Sequence, residues 1–168
     1  DLRQSGEAQL MSWLQNRHHA TQVAQAGMTP EPTVVERVRA ADPTGLNQQQ
    51  AAVTHWLSKK YRIAPEPLSV LVTEAWNVGK NVKLDPTLIL AVMAIESRFN
   101  PFSQSPVGAQ GLMQVMTRVH TDKYDYFGGD LAAFDPVANL RVGIKVLQDC
   151  VRNYGSIEGG LRCYVGAG

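Results

Sequence analysis

Asp85-Pro86-Thr87-Leu88-Ile89-Leu90-Ala91-Val92-Met93-Ala94-Ile95-Glu96-Ser97-Arg98-Phe99-Asn100-Pro101 is the stretch on which the fold turns. An aspartate oxygen accepts an early backbone N–H, and proline at the first helical position loses nothing by lacking one, so Asp85-Pro86 predicts a helix start. Every residue from Leu88 to Ile95 is apolar. The run is far shorter than the roughly 20 residues that span a bilayer, so it predicts a helix buried all round at the centre of a domain. Asn100 precedes proline and is steered away from the α conformation, which ends the helix within about a turn of Glu96. A carboxyl group there emerges from the core near the negative pole of its own helix. Burial and the helix dipole both disfavour its ionised form, so its pKa is expected to rise, as a general acid requires. The plain alternative is a surface glutamate at a fraying helix end.

Downstream, Phe99 to Gln110 combine Asn-Pro, two serines, Pro106 and Gly108, the composition of a structured turn region. Gly108 and Gly111 are expected where backbone comes close to something. In a purely structural reading they let the loop pack on the helix. In a functional reading they open a groove in which Ser105 and Gln114 supply hydrogen bonds, and Met113 an apolar contact, beside Glu96.

Asp135-Pro136 repeats the helix-start device and opens an amphipathic stretch with Val137, Leu140, Ile144, Leu147, Val151 and Tyr154 at helical spacing, ended by Gly155. Ser156 then caps a last helix in which Ile157, Leu161 and Tyr164 share a face and Glu158 pairs with Arg162. Two helices joined by so tight a turn should lie antiparallel, with Cys150 and Cys163 at similar height. Either a disulfide or two buried thiols fits that placement. Upstream, Pro65 and Pro67 start a helix carrying Leu68, Leu71, Val72, Ala75 and Trp76, and Asn47 caps one carrying Val53, Trp56, Leu57 and Tyr61. The turn Ala41-Asp42-Pro43-Thr44-Gly45 sets off residues 1–46 as a helical arm or cap with a stripe of Leu10, Trp13, Leu14, Arg17 and Val23. Strand signals are scarce, so the chain is predicted to be mainly α, with residues 47–168 as its principal domain.

The composition, 44% apolar and 18% charged over 168 residues, is that of one globular domain with a hydrophobic core. Sixteen basic against fifteen acidic residues leave no field for nucleic acid or an anionic membrane. The two cysteines lack CxxC spacing, and His18, His19, His55 and His120 do not join them in a ligand pattern, so neither metal nor cofactor is expected. The chain opens at Asp1 without a basic n-region or apolar h-region, and its compartment is not legible there.

Glu96-Ser97-Arg98-Phe99-Asn100-Pro101, then Ser105, Gly108-Ala109 and Gly111-Leu112-Met113-Gln114, resembles the signature of the soluble lytic transglycosylase family, relatives of goose-type lysozyme. Asn139-Leu140 with Gly143 resembles the family's Asn-x-x-x-Gly helix, and Cys163-Tyr164-Val165-Gly166 its Ala-Tyr-Asn-x-Gly motif. The resemblance covers roughly residues 66 to 168. It implies a lysozyme-like helical domain acting on a peptidoglycan glycan strand between N-acetylmuramic acid and N-acetylglucosamine. Glu96 would be the catalytic acid and then base, producing 1,6-anhydro ends. Ser105 and Gln114 would contact substrate or orient Glu96, Met113 would line the sugar groove, and Tyr164 would place its hydroxyl near Glu96 unless it is only a core aromatic. Ser97, Gly108, Ala109 and Gly111 would support them.

No second acid occurs between Glu96 and Asp122, which agrees with a single-carboxyl scheme, although Asp122, Asp125, Asp130 or Asp135 could fold back as a partner. Three departures from the family stand out: Val165 where asparagine is common, Thr117 where proline follows the motif, and an end at Gly168 where a further short helix is usual. The implied place is the periplasm or cell envelope of a bacterium, with the protein free or attached to a secretion or conjugation apparatus. Two other readings are carried: a peptidoglycan hydrolase using a distal aspartate, and a weakly active glycan-binding or assembly module.

Overall fold

A computed structural model describes residues 45–166, all within the unit Val34–Gly168. The arm expected over residues 1–46 lies outside them, apart from Gly45 and Leu46. Helix α1 (Gln48–Tyr61) starts at a reciprocal cap: Asn47 Oδ1 accepts from the Gln50 N–H at 2.9 Å while Gln50 Oε1 accepts from the Asn47 N–H at 3.1 Å. Helix α2 (Pro65–Val82) starts on proline and buries Leu68, Leu71, Val72, Ala75 and Trp76.

Helix α3 (Pro86–Ser97) begins as Asp85-Pro86 foretells: Asp85 accepts from the Thr87 hydroxyl at 2.7 Å and the Thr87 N–H at 2.8 Å, and these bonds hold its carboxyl below the usual range. The expectation of burial all round is overturned. Ile89, Leu90, Val92 and Met93 are buried, but Ala91 is exposed and Ile95 is 81% exposed. One flank of α3 packs on α2 and the core; the other lines a cleft, and uniform apolarity does not distinguish the two environments.

The helix ends through two consecutive left-handed residues, Arg98 (φ 52°) and Phe99 (φ 64°). Each costs about 1–2 kcal/mol for an L-residue. Burial of the Phe99 ring, edge-on to Tyr61 at 5.1 Å, offsets that cost. Asn100 Oδ1 then accepts from the Phe102 N–H at 3.0 Å and turns the chain away.

A minimal antiparallel hairpin follows, β1 (Ala109–Gln110) with β2 (Val115–Met116), Gln110 opposite Val115. After α4 (Thr121–Asp125) and a 3-10 helix (Asp130–Phe134), Asp135 accepts from the Val137 and Ala138 N–H groups at 2.9 and 2.8 Å and starts α5 (Pro136–Tyr154). Val137, Leu140, Ile144 and Leu147 of its stripe are buried in a core shared with α2, α3 and the hairpin. An ion pair at 2.5 Å from Arg141 to Glu74 joins α5 to α2.

Helix α6 (Ile157–Tyr164) is capped by Ser156, whose hydroxyl accepts from the Gly159 N–H at 3.0 Å. Cys150 and Cys163 are joined by a disulfide across the α5–α6 turn, with Cα atoms 5.7 Å apart, which resolves the choice left open by their placement. Gly160 permits this contact: a Cβ there would lie 2.3 Å from Val151 Cγ2.

Candidate active site

Glu96 sits on the last turn of α3, in a cleft of about 270 Å³ whose other wall is α6, with Val92, Ile95, Leu161, Tyr164 and Val165 around it. The carboxyl group is half-buried, and burial alone holds its pKa above the usual carboxylate range. Among the described residues no neighbouring charge contributes to that shift. Asp135 is occupied as a helix cap and Asp122 lies 3.6 Å from the Lys123 ammonium. Val165, at the position where asparagine was expected, is exposed at the rim of this cleft.

The Tyr164 hydroxyl donates to the Met113 carbonyl at 2.6 Å. Burial, reinforced by the nearby Glu96 charge, pushes its pKa far upward, so it remains a neutral donor fixed on the backbone. This bond joins α6 to the loop that follows Glu96.

The loop is held by its own residues. Ser105 closes the turn to Ala109 with three bonds: its hydroxyl accepts from the Ala109 N–H at 3.0 Å, its N–H donates to the Ala109 carbonyl at 2.9 Å, and its carbonyl accepts from Gly108 at 3.0 Å. Gln114, itself left-handed at φ 49°, donates from Nε2 to the carbonyls of Ser103 and Gly111, each at 3.0 Å. Both residues thus spend polar atoms on shaping the loop. Ser97 is buried, and its hydroxyl bonds back to the Met93 carbonyl at 3.2 Å. Ala109 is buried in β1.

The two loop glycines differ from the shared role expected of them. Gly111 combines φ +78° with a close approach, since a Cβ would meet the Ala133 carbonyl oxygen at 2.3 Å and Asn139 Nδ2 at 2.4 Å. Gly108 has φ +94° but nothing within 4 Å, so only backbone conformation requires it. Met113 also departs from expectation. Its side chain is fully buried against Gly143, where a Cβ would lie 2.4 Å from Met113 Cβ, and its backbone is the part that reaches the site.

The residue that composition and spacing missed is Asn139, noted only within the Asn-x-x-x-Gly resemblance. It is fully buried. Its Oδ1 accepts from the Met113 N–H at 2.7 Å, and its Nδ2 donates to the Gln110 carbonyl and the Tyr124 hydroxyl, both at 2.9 Å. An amide on the apolar face of an amphipathic helix was the available signal, because a buried side chain of that kind must find partners. Thr117, where proline is usual, is buried and donates to Gln110 Oε1 at 2.5 Å. Among the described residues no group of three or more His, Cys, Asp or Glu is arranged to hold a metal ion, and no helix is long and apolar enough to cross a membrane.

Residues 75–166, more than half of the chain, match the family described as the Transglycosylase SLT domain. A transglycosylase of Enterobacteria phage PRD1 is 36% identical over 83 residues, covering 49% of this chain and 29% of the relative. The soluble lytic murein transglycosylase of Salmonella typhimurium is 40% identical over 85 residues, 46% of this chain and 13% of that protein. The membrane-bound lytic murein transglycosylase C of Photorhabdus laumondii is 39% identical over 79 residues, 42% and 22% respectively. The chain therefore spans less than a third of the length of each of these relatives.

Proposed function

The chain belongs to the Transglycosylase SLT domain family, and from that membership we propose that it is a peptidoglycan lytic transglycosylase that cuts the β-1,4 bond between N-acetylmuramic acid and N-acetylglucosamine. One observation carries the assignment of the acid: Glu96 is half-buried in a cleft walled by Val92, Ile95, Leu161 and Val165, and burial is the sole cause of its raised pKa. A carboxyl group kept protonated nearer neutral pH can act as general acid.

In the first half of the reaction the Glu96 carboxyl gives its proton to the bridging glycosidic oxygen. The C1–O bond breaks and leaves positive charge at C1, which the neighbouring N-acetyl group of the substrate stabilises. The Glu96 carboxylate then takes the proton of the muramoyl C6 hydroxyl as that oxygen bonds to C1. The product is a 1,6-anhydro ring, Glu96 is reprotonated and no water is consumed. Glycosidases usually set two carboxyl groups across the bond, and here one group serves both steps.

Ser105, Gln114, Gly108, Gly111, Ala109 and Ser97 support this chemistry by shaping the loop and the helix end. Tyr164 and the Met113 backbone hold the far wall against it. Relatives named for murein and for membrane attachment support a place in the bacterial cell envelope. The relative from phage PRD1, named a transglycosylase, supports the same activity and is compatible with a role beside an apparatus that crosses the wall.

The test is digestion of purified peptidoglycan by the native protein and by Glu96→Gln, with muropeptide ends identified by mass spectrometry. Anhydro ends should appear with the native protein and fall by about 10²- to 10⁴-fold in the variant. Reducing ends would replace this mechanism with hydrolysis, and retained binding without cleavage would make the protein a glycan-binding module.

A further inference from the structure

Of the two helices that enclose Glu96, α3 lies against the core and α6 is held weakly. Helix α6 has eight residues, fewer than the about 12 a helix needs to persist without packing, and two of them, Gly159 and Gly160, are of the poorest helix-forming type after proline. Its packing is thin: Gly160 is its one buried residue, Leu161 and Tyr164 lie against the core only in part, and Ile157 is 44% exposed. Beyond that packing stand the Tyr164 bond to the Met113 carbonyl and the disulfide from Cys163 to Cys150 of α5.

The disulfide is set into the cleft wall itself. Arg162 and Tyr164, the residues on either side of Cys163, both line the cleft with Glu96, Leu161 and Val165, and the Glu96 charge is near enough to act on the Tyr164 hydroxyl. Cys163 stands where the Ala-Tyr-Asn-x-Gly motif has alanine, so the staple is no part of that motif. Cys150 is buried and Cys163 half-buried, which opens the pair to a thiol from the Cys163 side.

We propose that the Cys150–Cys163 disulfide is a redox switch on the Glu96 cleft: while it is closed α6 stays docked and the protein cuts, and when a dithiol reductant opens it α6 leaves the acid and cutting stops. The proposal rests on the lytic transglycosylase reading and adds a regulation of that same site. A thiolate of the dithiol attacks Cys163 Sγ and the Cys150 thiolate departs; the second thiolate of the reductant then attacks its own sulfur in the mixed disulfide and releases the Cys163 thiolate. The two cysteine thiolates take up the two protons that the dithiol gives up, so the cystine gains two electrons and the dithiol is oxidised to its disulfide. Opening a loop of sequence separation 13 shifts the docking equilibrium of α6 by about a hundredfold. The cleft then loses Leu161, Tyr164 and Val165, and with them burial that holds the Glu96 proton. Arg162 and Tyr164 are the ionisable groups that line the cleft with Glu96, and neither contributes to the rise of its pKa, so the loss of burial sets the direction of change. Cutting is thereby tied to an oxidising compartment.

The experiment measures anhydro-end release from purified peptidoglycan by the native protein as oxidised, after incubation with dithiothreitol and after reoxidation, beside Cys150→Ala with Cys163→Ala, with thiols counted in each state. Reduction should lower the rate by about tenfold, reoxidation should restore it, and the double variant should start at the reduced rate and ignore dithiothreitol. The alkaline limb of the pH–rate profile, where the Glu96 proton is lost, should move to lower pH on reduction, a shift that loss of folded protein alone does not produce. Hydrogen exchange should show the α6 amides opening on reduction while α3 and α5 stay protected. An unchanged rate with two thiols counted overturns the switch. So does a fall in which α3 and α5 lose protection together with α6, which would make the disulfide a general stabiliser. An oxidised protein that releases neither anhydro nor reducing ends overturns the lytic reading instead. The switch is then decided by exchange alone, and α6 amides indifferent to reduction overturn it.

Discussion

The loop from Ser103 to Thr117 is held by hydrogen bonds among its own residues and anchored to the core at one buried amide, Asn139, whereas α6, the opposite wall of the Glu96 cleft, is held by a disulfide and apolar packing. A hydrogen bond from the Tyr164 hydroxyl to the Met113 carbonyl joins the two. A converging polar network sets geometry finely but fails sharply, because removing one member strands several buried partners. A covalent staple tolerates polar substitution around it and yields to reduction. The acid is thus flanked by one wall sensitive to side-chain chemistry and one sensitive to redox state.

Substituting Asn139→Ala should break the comparison on the polar side with the largest effect. It strands the Met113 N–H, the Gln110 carbonyl and the Tyr124 hydroxyl together, and about 4 kcal/mol of stability should be lost in denaturant melts. On the covalent side, Cys150→Ala with Cys163→Ala opens a loop of sequence separation 13 and should cost about 3 kcal/mol. Reduction of the native protein should match the double variant; a melt indifferent to reductant would show that packing alone holds α6.

The loop glycines sharpen the comparison within one wall. Gly111→Ala meets both a left-handed backbone and a carbonyl at 2.3 Å, and should cost about 3 kcal/mol. Gly108→Ala meets only the backbone term and should cost about 1 kcal/mol. Equal losses would mean that the close approach of Gly111 to Asn139 is relieved by local movement.

The smallest effect belongs to the acid itself. The folded-state pKa of Glu96 is raised from 4.5, so the folded protein binds this proton more tightly than the unfolded chain does. Stability from that difference is complete below the unfolded pKa and is lost as pH rises through the folded value. Native and Glu96→Gln proteins should therefore melt alike near about pH 4, and the variant should melt higher near about pH 7. Parallel melting curves across that range would mean that Glu96 is not held against ionisation.

Much of this arrangement was readable because it is local. Asn47, Asp85, Asp135 and Ser156 cap helices with atoms two or three residues away, and the end of α3 follows from Asn100 standing before proline. The misreadings all concern what lies across the fold. Ile95 belongs to an apolar run, yet it faces the cleft, since composition does not say which flank has a neighbour. Met113 sits in the motif beside Glu96, yet Gly143, thirty positions further along, draws its side chain into the core. Asn139 is one amide in a long amphipathic helix, and its importance lies in three partners distant in sequence. The disulfide was one of two outcomes because helix register, not cysteine spacing, decides it.

The Tyr164–Met113 bond joins residues 51 apart in sequence, so it needs the loop and α6 to be brought together first. Loop-closure entropy must be met before so distant a contact returns anything, and a chain made from its N-terminus carries Glu96 and the whole loop well before α6 exists. Without α6 the Glu96 carboxyl would lack one wall of its cleft and with it part of the burial that raises its pKa. The raised pKa of Glu96 is thus a property of the assembled cleft and not of α3 alone, and it depends on a helix that follows Glu96 by about sixty residues.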